Sequence, residues 1–196
     1  IICDSWKSVN AVPKSAKKIF VLAHGQEFLS INKKLNKIKN SLNRATCIIC
    51  NSSYTANLVN KLKIYNKRIV IIPPTYALEK SLTKKKVNKK SSEVVNLLTI
   101  CRLEKRKGIV PVLECLSNLK KNNLLKPFNW NICGYGNQFE EIKDNIKKLD
   151  LLDQVKLIGK INENIKQKFL ERSDVFVMPS YKVNDTIEGF GISYIE

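Results

Sequence analysis

Short apolar runs alternate with longer polar stretches along this chain, and the spacing inside each stretch sets the element it predicts. Residues 1–3 read as the middle of a strand, and residues 19–23 form an apolar run that stops at His24-Gly25, the pattern of a parallel strand feeding a loop. From 29 to 44 the chain is polar, with Ile31, Leu35, Ile38 and Leu42 at helical spacing, so a helix is expected there. Residues 45–50 read as a buried strand. Asn51-Ser52-Ser53 then supplies an N-cap for a helix through Leu62, and a strand at 69–72 is stopped by Pro73-Pro74.

Residues 79–93 break this rhythm. They are charged and Ser-containing without periodicity, the composition of a linker. A second series follows: strands at 94–101, 128–133, 155–158 and 175–178, and helices at 108–119, 139–148 and 165–171. Strands alternating with helices predict parallel sheets with helices on both faces. The expected organisation is therefore α/β, with a first domain over 1–78, a linker over 79–93 and a second domain over 94–196, facing each other across a cleft. The loops of interest all follow strand ends: 24–27, 102–108, 134–138, 159–163 and 180–191. Ligands of open α/β sheets bind at such ends. Because residues 1–3 already read as strand and residues 191–196 read as the start of a helix, the sequence is expected to be a fragment cut at both ends.

Composition narrows the class. With 43% apolar residues the chain can bury a core, which argues against disorder. Lys+Arg exceeds Asp+Glu by 35 − 17 = 18. Such an excess fits nucleic acid, an anionic membrane surface, or simply a composition rich in Lys, Asn and Ile. Of the six cysteines, Cys47 and Cys50 form a CxxC inside a strand. Residues three apart on a strand face opposite ways, so a shared metal is not expected, and the thiols read as reduced and buried. No run of 18 apolar residues spans a membrane.

Two segments carry chemistry. In Arg102-Leu103-Glu104-Lys105-Arg106-Lys107-Gly108, a strand delivers Arg102 to its carboxyl end and Gly108 opens a helix. Cations beside free helix N–H groups suit an anion that gains charge as a bond breaks. In Glu188-Gly189-Phe190-Gly191-Ile192-Ser193-Tyr194-Ile195-Glu196, two carboxylates frame a glycine-containing turn, and a carboxylate accepts well from two adjacent hydroxyls. Between them lie Gly134-Tyr135-Gly136 and Gly159. Gly134 and Gly136 lack a third glycine at dinucleotide spacing, which speaks against a nicotinamide enzyme, and no Gly-Lys-Ser/Thr of a P-loop is present.

The order Arg102-Leu103, Lys107-Gly108, Gly134-x-Gly136, Gly159, Pro179-Ser180 and Glu188-Gly189-Phe190-Gly191…Glu196 resembles the retaining family 4 glycosyltransferases (glycosyl transferases group 1) across residues 94–196. That resemblance implies the GT-B fold, two Rossmann-like domains with a nucleotide-sugar donor bound by the second. It implies that Arg102 and Lys107 bind the donor diphosphate. Phe190, Gly191 and Ile192 would contact phosphate or sugar through backbone, and Gly134 and Gly136 belong to the same donor loop. Glu196 would bind ribose, Glu188 would lie near the transferred sugar, and Lys160 and Ile161 near the base. His24, before Gly25, resembles the His loop of the family's first domain. After the strand at 69–72 this chain has Pro73-Pro74-Thr75 where the family has Pro-Asn-Gly.

The expected function is transfer of a hexose from a nucleoside diphosphate to a hydroxyl, with retention, in bacterial polysaccharide or lipopolysaccharide assembly. No cofactor or metal is expected, since no Asp-x-Asp occurs. The expected partners are the nucleotide-sugar donor and a lipid-linked or saccharide acceptor, in the cytoplasm and peripherally on the inner face of an anionic membrane. A nucleic-acid-binding protein and an inactive glycosyltransferase-like scaffold are the alternatives. Replacement of Lys107 by Ala is expected to remove activity with little loss of fold.

Overall fold

A computed structural model of the chain describes residues 1–29, 31, 34–64, 67–75 and 93–196. The linker expected over 79–93 lies outside the described residues except for Glu93. The described chain divides into two compact units, Ile1–Tyr76 with Lys182–Ile192, and Ala77–Tyr181 with Ser193–Glu196. Residues 182–192, expected in the second domain, thus group with the first unit. Within that unit the Gln26 side chain donates to the Ile187 carbonyl at 2.9 Å.

The first unit is a parallel sheet of β1 (Ile2–Cys3), β2 (Phe20–Ala23), β3 (Cys47–Cys50) and β4 (Arg68–Ile71), in that spatial order. Its helices are α1 (Leu35–Asn43) and α2 (Ser53–Lys61). Helix α2 starts where the sequence places its cap: the Ser52 hydroxyl accepts from the Thr55 N–H at 3.2 Å. Helix α1 begins later than expected. A separate 3-10 turn over Gln26–Phe28 precedes it, and the fully buried side chains of the helix are Ile38 and Leu42. These two meet Val21, Ile48 and Val59 in the core.

The second unit is a parallel sheet in the order β7-β6-β5-β8, built from β5 (Val95–Ile100), β6 (Phe128–Cys133), β7 (Val155–Gly159) and β8 (Val175–Phe176). Helices α3 (Ile109–Lys121), α4 (Phe139–Lys148) and α5 (Glu163–Arg172) connect them. Trp130, on the central strand β6, is fully buried among Leu113, Ile132 and Ile142. Its indole N–H donates to the Thr99 hydroxyl at 3.0 Å, which in turn donates to the Val177 carbonyl, so the one polar atom of a large core side chain is satisfied. Strand β8 stops at Phe176, two residues short of the expected strand.

The cysteines differ in part from expectation. Cys3, Cys47, Cys50 and Cys133 are buried and all six are free thiols, but Cys115 is exposed on α3.

Candidate active site

Neighbouring strands of the second unit bring Arg102, the Gly134–Gly136 loop and Lys160 to adjacent strand ends. The Cys101 N–H donates to the Cys133 carbonyl at 3.1 Å and the Gly134 N–H to the Gly159 carbonyl at 2.7 Å, so the pairing continues past the strands into the loops. From β5 the chain passes Arg102 and enters a 3-10 turn over Lys105–Lys107. The Glu104 carboxylate lies between two guanidinium groups, Arg102 at 3.0 Å and Arg106 at 2.8 Å. Arg102 is 74% exposed. An exposed ion pair contributes roughly 0–1 kcal/mol, so little holds Arg102 against a more highly charged anion. Lys107 is placed differently: it is buried, 6% exposed.

Gly108 links that turn to α3. Its φ of +75° is left-handed, and a Cβ there would stand 2.5 Å from the Pro179 carbonyl oxygen. No side chain caps α3. Pro111 removes one first-turn N–H, which leaves those of Ile109 and Val110 at the positive end of the helix. Ser180, next to Pro179, has a buried hydroxyl with no hydrogen-bond partner among the described residues.

The two glycines of the 134–136 loop have a structural reason that the sequence does not reveal. A Cβ on Gly134, at φ +139°, would stand 1.8 Å from the Cys101 carbonyl oxygen, and one on Gly136 would stand 2.2 Å from that of Leu103. Both therefore press against the backbone that carries Arg102, and their missing side chains are filled by protein. Tyr135 between them is 58% exposed. Its ring lies 5.2 Å from that of Phe139, and the Lys160 ammonium sits over it at 5.7 Å. Gly159, at φ +81°, meets nothing within 4 Å of its absent Cβ, and Ile161 is half-buried.

Residues 193–196 close this unit. Ile192–Tyr194 form a 3-10 turn where the sequence suggested an α-helix start. The Tyr194 hydroxyl donates to the Met178 carbonyl and its ring packs edge-on to Phe176 at 5.6 Å. Glu196, expected to receive ribose hydroxyls, pairs with Lys166 of α5 at 2.8 Å, and both side chains are largely buried at 13% and 14% exposure. Burial works to lower the Lys166 pKa, but its hydrogen bonds to the Glu196 and Glu163 carboxylates, with their charge, outweigh it, so the ammonium is held above its ordinary range. Sequence reasoning missed Lys166 and Glu104. Only the spacing Glu163–Lys166, one helical turn apart, and the position of Glu104 midway between Arg102 and Arg106 signalled them.

In the first unit His24 follows β2 and is exposed. Its Nε2 lies 2.9 Å from the Asp4 carbonyl oxygen, and its backbone N–H donates to Glu27 at 2.8 Å. The Asn51 amide donates to the His24 carbonyl at 3.2 Å and accepts from the buried Thr55 hydroxyl at 2.7 Å. Gly189 lies against this loop: a Cβ on it would stand 2.4 Å from the His24 carbonyl oxygen. Its neighbours Glu188 and Phe190 are half-buried, and Gly191, at φ +82°, is buried. His24 and Glu188 thus belong to one unit, and Arg102, Lys107, Lys160 and Glu196 to the other.

Residues 80–196 match the family model described as Glycosyl transferases group 1. The chain is 34% identical over 104 residues to the amylovoran biosynthesis glycosyltransferase AmsK of Erwinia amylovora, which is 52% of this chain and 25% of that protein. Among solved structures it is similar to sucrose-phosphate synthase from Thermosynechococcus elongatus (TM-score 0.74, 18% identity, 100% of this chain and 52% of that one). It is also similar to Anabaena HepE in complex with UDP (TM-score 0.72, 17% identity, 94% and 54%). A third similar structure is the lipopolysaccharide outer core galactosyltransferase WaaB in its apo form (TM-score 0.71, 17% identity, 99% and 52%). The chain spans about half the length of these structures and a quarter of AmsK. At such identities the structures show the fold, and that fold is the α/β GT-B fold with parallel sheets. The match over residues 80–196 covers more than half of the chain, and the chain belongs to the glycosyl transferases group 1 family.

Proposed function

We propose that the protein moves a hexose from a nucleoside-diphosphate donor to a hydroxyl acceptor with retention, using cations and a helix terminus in place of a metal. The observation that carries this reading is the turn between β5 and α3. An exposed arginine and an uncapped helix start follow β5, and the orphaned Ser180 hydroxyl follows β8, the strand paired beside it. Each is a group that a diphosphate satisfies: guanidinium by a bidentate ion pair, backbone N–H by the helix field, hydroxyl by a hydrogen bond. Charge that grows on the leaving diphosphate is then met by groups already in place. In this reading Glu196 takes the ribose, Lys160 and Ile161 lie by the base, and Phe190, Gly191 and Ile192 offer backbone to the donor. His24 and Glu188 of the first unit serve the transferred sugar. The complex of HepE with UDP supports a nucleotide donor.

The acceptor we propose is a growing saccharide, lipid-linked or free, in polysaccharide or lipopolysaccharide assembly. The names of AmsK, an amylovoran biosynthesis glycosyltransferase, and of WaaB support this class. Work at the cytoplasmic face of an anionic membrane fits the formal charge of +18. Among the described residues no helix is long and apolar enough to cross a membrane.

The test is thermal stabilisation of the chain by UDP and GDP, each against its monophosphate. A ligand at about 100 Kd contributes near 2.7 kcal/mol of apparent stability. A rise with one diphosphate, lost in Arg102→Ala, supports the donor site and names the base. No rise with either, together with salt-sensitive binding to single-stranded nucleic acid, overturns the proposal in favour of a nucleic-acid-binding protein.

A further inference from the structure

In the first unit, one stripe of α1 and the turn after β1 border a pocket of about 380 Å³ lined by Asn10, Lys37, Asn40, Ser41 and Arg44. Lys37, Asn40, Ser41 and Arg44 fall at i, i+3, i+4 and i+7, which places them on one helical face. Asn10 comes from the opposite wall, a 3-10 turn over Ser8–Ala11. The residues are polar throughout, and two carry positive charge.

Arg44 has a structural task that fixes its guanidinium. It donates to the carbonyls of Val9 at 2.8 Å, Val12 at 2.7 Å and Pro13 at 3.1 Å. Carbonyl dipoles satisfy its N–H groups without cancelling its charge, and no carboxylate among the described residues pairs with Arg44 or Lys37. Asp4, the nearest acid in sequence to Asn10, is turned to the hydroxyls of Ser5 and Ser8 and does not line the pocket. The C-terminal end of α1 contributes a partial negative charge of about 0.5, against two full positive charges. The field in the pocket is therefore positive. Ser41 is 3% exposed, and its hydroxyl donates to the Asn10 side-chain Oδ1 at 3.4 Å, which leaves the Asn10 side-chain N–H groups for a ligand.

We propose that this pocket binds a small phosphate ester, with the phosphate between Lys37 and Arg44 and the hydroxyls of the esterified sugar or polyol on Asn10 and Asn40. The volume lies at the lower end of the range of small-molecule sites, about 300–1,000 Å³, which suits a phosphorylated monosaccharide or polyol and not a nucleotide sugar. The amides supply both donors and acceptors, as vicinal hydroxyls require, and the two cations supply the charge. The site lies in the first unit and uses none of the residues assigned to the donor.

The test is an NMR titration of the isotopically labelled full chain with glycerol 3-phosphate, using glycerol as the uncharged control. Saturable shifts are expected at the amides of residues 37–44 with the phosphate ester and not with glycerol. Lys37→Ala with Asn40→Ala, two exposed side chains, should weaken that binding at least tenfold and leave the response to UDP or GDP unchanged. Arg44 is left intact because it holds three carbonyls. Vesicles containing phosphatidylglycerol separate the source of the ester. Loss of vesicle binding in the double variant identifies a lipid headgroup, and unchanged vesicle binding identifies a soluble ester. Absence of shifts at 37–44, or affinity for glycerol 3-phosphate unchanged in the double variant, overturns the site.

Discussion

A methyl group at Gly134 has nowhere to go, because its Cβ would stand 1.8 Å from the Cys101 carbonyl oxygen, whereas one at Gly159 meets open space. Both glycines have positive φ, so Ala at either place carries a strain of about 1–2 kcal/mol. Only Gly134→Ala adds a backbone clash. Denaturant unfolding should show Gly159→Ala losing about 1 kcal/mol and Gly134→Ala losing more than twice that. Equal losses would mean that the Arg102 loop yields freely. Lys107 illustrates the reverse problem. Its residue type suggested a surface cation whose loss spares the fold, yet it is buried, so Lys107→Ala should cost about 1–3 kcal/mol of stability as well as activity. Lys107→Met, which keeps the stem, should retain more stability than Lys107→Ala and remain inactive; wild-type turnover by the Met variant would remove Lys107 from the chemistry. At this scale the sequence told which residue types stand at the site and not what each one faces. The partner of Gly134 lies 33 positions away, and no local pattern encodes that distance.

Elements were far more legible. Strand and helix periods are local, so β2, β3, β5, β6, α2, α3 and α4 appear within a residue or two of their expected bounds. The misses have local causes too. Helix α1 was expected from about residue 29 and starts at Leu35, and the pattern at 191–196 gave a 3-10 turn in place of an α-helix. Burial at strand ends also carries a pH signature. Burial raises the Cys50 thiol from 9.0 to about 11, with Glu27 and Cys47 adding to it, and burial alone raises Cys133 by the same route to about 11. The native state then holds protons that the unfolded chain releases near pH 9, so stability is present below that value and falls as pH rises toward 11. Each thiol accounts for an upper limit of about 2–3 kcal/mol. The double variant Cys50→Ala, Cys133→Ala should show a shallower decline between pH 9 and 11 than the parent, measured by urea midpoints. A parallel decline would assign the loss to lysines instead. In the native protein at pH 8, iodoacetamide should label Cys115 first, because only that thiol is exposed.

At the scale of the whole molecule, the described residues form two apolar cores, and each contains one of the two tryptophans: Trp6 lies in the first and Trp130 in the second. Their fluorescence therefore reports on the units separately. The grouping of 182–192 with the first unit was not legible in the sequence, since it depends on contacts such as Gln26 to Ile187 that span 161 positions. If the donor is held as proposed, binding energy enters through Arg102, Lys107 and Glu196, all in the unit that contains Trp130. With Trp6→Phe, the remaining Trp130 signal should move to higher temperature in saturating UDP or GDP, by the amount that RT ln(1 + [L]/Kd) allows. With Trp130→Phe, the Trp6 signal should move less. An equal move in both variants means that the units unfold as one cooperative block and the readout must shift to Arg102→Ala, which abolishes the move if the diphosphate assignment holds. A move confined to Trp6 places the stabilising contacts in the first unit and refutes the assignment of the diphosphate to Arg102 and Lys107.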